Sequence, residues 1–263
     1  MSALPVQERG ASQKSNDSRD ILSPEFDRYA PSYSALLDDP IRNRFARDPL
    51  HFHRRKWLLI RTLLKRFGVA AEMQRWLDVG CGQGQLLELA GGNFKQATGC
   101  DPSAVMLPSH ATFTVLEQPS PAELPFDDCS FDFVTAVCVY HHVHGGARPR
   151  LTNEIKRVLA PGGLCCIIEH NPWNPVTQAI VRRCAVDMDA ELLSARTTLK
   201  LLEASGFECL ATDYFLYSPE RLFNRLRWIE GKLHKVPFGG QYISLARAPG
   251  STTSSSESAP TAT

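Results

Sequence analysis

A glycine-rich segment between an apolar run and a helix-forming run constrains the fold of this 263-residue chain most. It reads Asp78-Val79-Gly80-Cys81-Gly82-Gln83-Gly84, and the helix-forming run Leu86-Leu87-Glu88-Leu89-Ala90 follows. Glycines at such a turn let the backbone approach a ligand closely. A dinucleotide site requires G-x-G-x-x-G, whereas here the third glycine comes one residue early. A carboxylate two residues before the first glycine repels a pyrophosphate and attracts a cation.

Short apolar runs alternate with helical patterns along the rest of the chain. Between the fourth and fifth runs, apolar residues recur at helical spacing over 151–159, and Pro161-Gly162-Gly163 is expected to stop that helix. This βαβ series predicts a parallel sheet covered by helices on both faces, with ligands at the carboxyl ends of its strands. The predicted strands are residues 76–79, 97–101, 113–116, 131–140, 164–170, 209–217 and 241–246.

The two ends of the chain differ in composition from its body. Residues 1–24 are polar and lack the apolar stretch of a signal peptide, and residues 249–263 are mostly small and polar, so both are expected to be disordered. A single domain is expected over 25–248. The eight cysteines form no CxxC pair, and no stretch reaches 18 apolar residues, which predicts a cytoplasmic protein with reduced thiols.

Further motifs follow the glycine loop in a fixed order. Asp101 ends the second predicted strand, 17 residues beyond Gly84, where a carboxylate can accept both hydroxyls of a ribose. The later motifs are Leu124-Pro125-Phe126, Tyr140-His141-His142 and Leu159-Ala160-Pro161-Gly162-Gly163. The ordered set resembles the class I S-adenosylmethionine (SAM) dependent methyltransferases, most strongly over 75–170. Within that family it is similar to the small-molecule branch, which includes the ubiquinone and menaquinone C-methyltransferases.

This resemblance implies an α/β fold with a Rossmann-like, seven-stranded, mostly parallel sheet. It also implies an enzyme of class EC 2.1.1.- that transfers a methyl group from SAM, its cofactor, to a small-molecule or lipid-like acceptor. Tyr29 belongs to an aromatic segment that resembles the lid over SAM in that branch. The residues expected to hold SAM are Asp78, Gly80, Gly82, Gly84, Asp101, Pro102, Tyr29 and His141.

The chain departs from the family at Ser120-Pro121, where its members place an Asp-Ala pair that binds adenine. Proline has no N–H to donate. Either the loop shifts so that Ala122 or Glu123 does this work, or the adenine is held less well.

The candidates for a catalytic role are His142, His170 and Glu169, at the ends of the fourth and fifth strands. A general base is needed if the acceptor is a hydroxyl or an acidic carbon, whereas a neutral amine attacks unaided. No metal is expected, because no acidic residue or cysteine near the histidines completes a ligand spacing. Those histidines are His51, His53, His141, His142 and His144.

Charge is concentrated in one part of the chain. The net charge is only +1, yet residues 42–66 hold nine basic side chains and Asp48 as their one acidic side chain. This stretch is either a core-packed helix with a solvated basic side or a surface that attracts an anionic acceptor, a lipid headgroup or nucleic acid. An RNA or protein methyltransferase is therefore one alternative. A non-enzymatic SAM-binding regulator, favoured by the departure at Ser120-Pro121, is the other. The sequence leaves open the methylated atom, the oligomeric state and peripheral membrane contact.

Overall fold

The computed structural model describes residues 25–48, 50–109 and 112–250. Its strands form one seven-stranded sheet in the order β3-β2-β1-β4-β5-β7-β6. Strands β1 to β5 are parallel, and β7 runs antiparallel to both β5 and β6. The strands are β1 (Arg75–Val79), β2 (Gln96–Asp101), β3 (Thr114–Glu117), β4 (Phe131–Val137), β5 (Leu159–His170), β6 (Glu208–Phe215) and β7 (Gln241–Arg247). The predicted fold class is confirmed.

Helices cover both faces of this sheet. They are α1 (Tyr33–Leu36), α2 (Pro40–Phe45), α3 (His51–Arg66), α4 (Gln85–Ala90), α5 (Arg148–Val158), α6 (Pro175–Val181), α7 (Ala195–Ala204) and α8 (Glu220–Leu233). The apolar sides of α3 and α4 pack on one face, and those of α5 and α7 pack on the other. The direction of the strand order reverses between β1 and β4, and a ligand crevice is expected at their carboxyl ends.

Two strand boundaries differ from the prediction by three or more residues, and the others differ by two at most. Strand β4 ends at Val137 rather than at residue 140, because Cys138 has a φ of 58° and turns the chain away from the sheet. Strand β5 begins at Leu159 rather than at residue 164, since Leu159 already pairs with Phe131 before a register shift. The turn after Val137 places two histidines above the sheet edge.

Of the segments predicted to be disordered, residues 1–24 lie outside the described residues, and so does the predicted tail 249–263 apart from its first two residues. The domain predicted over 25–248 stays a prediction, although the backbone N–H of Gly162 donates to Pro249 O, just past its end. Over the described ranges, no helix combines the length and the apolar character needed to cross a membrane.

Candidate functional site

A cavity of about 380 Å³ opens at the carboxyl ends of β1, β2, β4 and β5. The glycine loop forms part of its wall, and α3 and the turn after β4 form other parts. Phe26 and Tyr33 of the N-terminal segment also line it. Six of the residues that were predicted to hold the cofactor line this cavity: Asp78, Gly80, Gly82, Asp101, Pro102 and His141.

The glycine loop requires glycine for two different reasons. Gly80, Gly82 and Gly84 all have positive φ, at 66°, 52° and 75°, a region that side chains rarely adopt. A Cβ on Gly82 would have only the Met106 Cε within 4 Å, at 3.5 Å, so it would occupy open space at the cavity wall. A Cβ on Gly84 would instead lie 2.8 Å from the Phe113 ring. Gly84 does not line the cavity, so its described contacts are those of loop packing rather than of ligand binding.

Asp101 ties the glycine loop to the end of β2. One carboxylate oxygen accepts from the backbone N–H of Gly82 and the other from that of Ser103, each at 2.9 Å. Burial raises the pKa of Asp101, and these two hydrogen bonds oppose the rise. Each carboxylate oxygen can accept a further hydrogen bond. Asp101 therefore positions the loop and still has lone pairs available at the cavity.

Asp78 lies near the end of β1, where it is almost completely buried. Its carboxylate accepts a hydrogen bond of 2.5 Å from the Thr135 hydroxyl of the neighbouring strand. Burial raises the pKa of Asp78 to about 7, and both the Thr135 hydroxyl and the Lys56 ammonium oppose that rise. A cation at this wall would favour the ionised form of Asp78.

A buried carboxylate fixes the orientation of His141. The Nδ1 atom of His141 is hydrogen-bonded to one oxygen of Glu169, and the other oxygen accepts the backbone N–H groups of Val139 and Tyr140 at 3.0 and 2.8 Å. Burial lowers the pKa of His141, but the carboxylates of Glu169 and Asp187 together raise it to about 10. Glu169 is fully buried and does not line the cavity. It is therefore a positioning residue in this structure, and not a group that contacts an acceptor as the sequence predicted.

The aromatic segment predicted to cover the cofactor, Phe26 to Ala30 with Tyr33, meets the cavity through two of its three aromatic residues. Tyr29 does not line the cavity, and its ring lies 4.6 Å from the guanidinium carbon of Arg28. Phe26 and Tyr33 do line it, and the Phe26 ring lies 4.9 Å from the ring of His142, edge to face.

The loop at Ser120-Pro121 offers few groups that could replace the adenine-binding Asp-Ala pair of the family that the sequence resembles. Pro121 lines the cavity, but both backbone amides proposed as substitutes are already paired within the loop. The N–H of Ala122 donates to the Ser120 hydroxyl oxygen at 3.4 Å, and that of Glu123 donates to the Ser120 carbonyl at 3.2 Å. Gln118 also lines the cavity, and its amide donates to the same carbonyl at 2.8 Å.

The structure adds three cavity residues that the sequence did not single out. Lys56 of α3 points its ammonium at the Cys138 thiol, with 3.6 Å between Nζ and Sγ. Burial raises the pKa of Cys138, but Lys56 and His170 outweigh the effect of burial and bring the pKa to about 7.

Asp187 is the third of these residues. It lies in the short 3₁₀ turn Ala185–Asp187, with its Oδ1 atom 3.4 Å from His142 Nε2. Asp187 is far along the chain from the histidines, so no local spacing could have predicted the contact.

Comparison with known proteins gives a match to one family model. Residues 77–167 match the model described as a methyltransferase domain. A protein of Encephalitozoon cuniculi (strain GB-M1) named as a methyltransferase is 52% identical over 42 residues. That match covers 16% of this chain and spans only 20% of the length of the relative.

Solved structures share the fold at low identity. A SAM-dependent methyltransferase from Thermotoga maritima has a TM-score of 0.61 at 18% identity, over 85% of this chain and 98% of that one. A Haemonchus contortus phosphoethanolamine N-methyltransferase has a TM-score of 0.51 at 20% identity, over 73% of this chain and 53% of that one. Residues 77–167 thus match a methyltransferase domain, and the chain shares the class I fold of solved SAM-dependent methyltransferases.

Proposed function

We propose that the chain transfers a methyl group from SAM to a small-molecule acceptor that carries an anionic group. The observation that carries this proposal is the arrangement of one cavity, with the glycine loop and two carboxylates in one part of its wall and the cationic side chains Arg42 and Lys56 in another. SAM supplies the methyl group and leaves as S-adenosylhomocysteine. The chain binds both reactants in one orientation, and such positioning can lower the barrier by about 7–11 kcal/mol.

The residues at the cofactor end fit a ligand that carries positive charge and a ribose. Asp78 offers a carboxylate to an ammonium or a sulfonium, and Asp101 offers lone pairs to hydroxyls. Gly82 leaves open the space that a Cβ would fill. We assign the binding of SAM to Asp78, Gly80, Gly82, Asp101 and Pro102, which all line the cavity.

Binding of S-adenosylhomocysteine should strengthen as pH rises through about 7. Burial raises the pKa of Asp78 to about 7 in the free protein, so below that pH an ammonium ligand must first displace a proton. Below about pH 7 the affinity should rise about tenfold with each pH unit, and above that pH it should level off. Calorimetry between about pH 5.5 and 7.5 tests this, because the ligand amine stays protonated there. The Asp78→Asn variant should bind weakly and without this slope; an unchanged slope would assign the titration to another group.

The acceptor end of the cavity holds cationic side chains without a carboxylate partner and buried polar atoms without a hydrogen-bond partner among the described residues. Lys56 is only 6% exposed, and among the described residues neither Lys56 nor Arg42 forms an ion pair with a carboxylate. His53 Nδ1 and Gln241 Oε1 are buried with no hydrogen-bond partner. All four side chains line the cavity. Because an unpaired buried polar group is costly, this end favours a polar acceptor with negative charge.

The lid favours a small acceptor, since Phe26 and Tyr33 line the cavity beside the histidines. The Haemonchus contortus enzyme of the same fold is complexed with phosphomonomethylethanolamine, a small phosphorylated molecule. It supports an acceptor of this size and charge for the present chain.

Two histidines remain candidates for a general base. His142 and His170 both line the cavity, and His170 Nδ1 lies 3.4 Å from the amide nitrogen of Gln241. If the acceptor is a hydroxyl, one of them would take its proton, and an amine acceptor would need neither.

An RNA or protein acceptor has less support in the structure. Part of the basic stretch 42–66 turns inward, because Arg55 and Lys56 are buried. Other members are paired, Arg54 with Asp48 and Arg66 with Asp213. The stretch is thus divided, rather than forming one basic surface for a polyanion.

The proposal is tested by incubating the full chain with isotopically labelled SAM and a metabolite extract separated by anion exchange. We expect the label in a small anionic product. The Lys56→Met variant should then raise KM for that acceptor about 10–150-fold, the effect of losing a charge-assisted hydrogen bond of about 1.5–3 kcal/mol. Its affinity for S-adenosylhomocysteine, measured at a pH where Asp78 is ionised in both proteins, should stay within about threefold.

The control is Lys65→Met, which removes an exposed lysine from the same helix. It should leave KM unchanged. Label found only in RNA, in protein or in neutral metabolites would contradict the proposed acceptor, and so would equal KM values for the two variants.

A further inference from the structure

Two histidines and an aspartate converge beside the cavity, and the methyl-transfer proposal uses only His142 among them, as one candidate base. The Asp187 Oδ1 atom lies 3.6 Å from His141 Nε2 and 3.4 Å from His142 Nε2. The three ligand atoms lie within 4.8 Å of one another, and all three residues line the cavity. From these positions we propose that His141, His142 and Asp187 form a binding site for a divalent metal ion of the zinc type.

The spacing of these atoms suits an ion better than direct hydrogen bonds. A good N–H···O bond spans about 2.7–3.2 Å, and both nitrogen-to-oxygen distances exceed that range. Ligands that lie about 2.0–2.1 Å from a tetrahedral Zn²⁺ are about 3.3–3.4 Å from each other. The observed separations are close to this edge length.

The surroundings of His141 match those of a metal-binding histidine. Ligating histidines almost always donate their second N–H to a carboxylate or carbonyl, which fixes the tautomer and leaves the other nitrogen free to bind. Glu169 does this for His141, because it receives the Nδ1 hydrogen and is itself held by two backbone N–H groups. The Nε2 atom faces Asp187, and a metal ion would take the place of the proton on that nitrogen.

The charge around the site also favours a cation. Asp187 and Glu169 place two carboxylates against the one imidazole of His141. The other titratable groups near them are the imidazoles of His142 and His170, the thiols of Cys138 and Cys184, and the Tyr33 hydroxyl. The His170 ring lies 5.2 Å from that of His141. Arg148 is directed elsewhere, to the Tyr140 and Val143 carbonyls and to Glu191.

The ligand set selects the class of ion. Two imidazoles and one carboxylate suit zinc and neighbouring divalent transition metals, whereas magnesium and calcium prefer oxygen ligands only. Three protein ligands leave at least one coordination position open to the cavity, as in catalytic rather than structural zinc sites. That position would take a water molecule or a heteroatom of a bound molecule.

Metal binding can be measured on the full chain without any acceptor. The chain, freed of metal by a chelator, is titrated with Co²⁺ while its visible absorption is recorded, and with Zn²⁺ in a calorimeter. We expect one ion per chain and the intense absorption of a four- or five-coordinate cobalt site. The Asp187→Ala and His142→Ala variants should each weaken binding by about 100-fold or more, since each removes one of three protein ligands.

The Glu169→Gln variant tests the orientation of His141. Its amide would donate to Nδ1, so the ring would carry its hydrogen on Nε2 and could not ligate the ion through that atom. Binding should fall by about 10–100-fold, the usual effect of losing a partner of a ligating histidine. A folding defect is separated from this effect by the melting temperature of each metal-free variant.

Two matched controls remove the same residue types close by. His144→Ala and Asp189→Ala change exposed side chains, each two residues from a proposed ligand. Both should bind cobalt as the unchanged chain does. If the chain binds no stoichiometric metal ion, the proposal is overturned and the three residues are histidine–aspartate ion pairs. The same conclusion follows if the ligand variants and the control variants lose metal affinity equally. Because no acceptor or SAM is present, either result leaves the proposed methyl transfer untouched.

Discussion

Replacing Gly82 by valine is expected to abolish binding of S-adenosylhomocysteine, with a loss of affinity of at least about 100-fold, or roughly 2.7 kcal/mol. A Cβ at this position meets no protein atom closer than the Met106 Cε at 3.5 Å, so the added side chain would extend into the cavity. Gly80 is a poorer choice, because a Cβ there would lie 2.5 Å from the Val139 Cγ2 atom and would disturb the protein itself.

The control for this variant is Gly68→Val. Gly68 has a φ of 71°, similar to the 52° of Gly82, and a Cβ there would have no atom within 4 Å. Both variants therefore carry a comparable backbone penalty, and only Gly82→Val adds atoms at the cavity wall. Calorimetry should find no binding for Gly82→Val and normal binding for Gly68→Val. If the Gly82→Val variant kept its affinity for S-adenosylhomocysteine, bound SAM would not lie against this glycine.

Replacing Glu169 by alanine is expected to lower the free energy of unfolding by about 3–5 kcal/mol, the usual cost of removing one partner of a buried ion pair. Glu169 is fully buried and holds His141 together with the N–H groups of Val139 and Tyr140. Its loss would leave all three donors without an acceptor in the interior. Denaturant unfolding at neutral pH measures the change.

Glu169→Gln separates this structural role from the catalytic one that the sequence suggested. The amide keeps an oxygen for the two backbone donors, so most of the stability lost in Glu169→Ala should be retained. If both variants were as stable as the unchanged chain, the buried network would contribute little. A direct catalytic role would then have to be tested by kinetics with the identified acceptor.

Local pattern and spacing were sufficient to predict the sheet and its cofactor end. All seven strands were placed, because alternation and apolar runs report which backbone segments are buried. The glycine loop and Asp101 lie at strand ends, and parallel strands bring their carboxyl ends to one edge. The loop and Asp101 therefore had to meet once the strand order was known, and hydrogen bonds join them in the structure.

The contacts between distant elements were decided only by the tertiary structure. Lys56 reaches Cys138 because α3 packs on the sheet beside β4, and Asp187 reaches the histidines because the segment after α6 folds over the same edge. A periodic pattern indicates which face of a helix is buried, but not which neighbour that face meets. For the same reason the sequence placed Glu169 at the right strand end, while only packing showed that it faces the interior beneath His141.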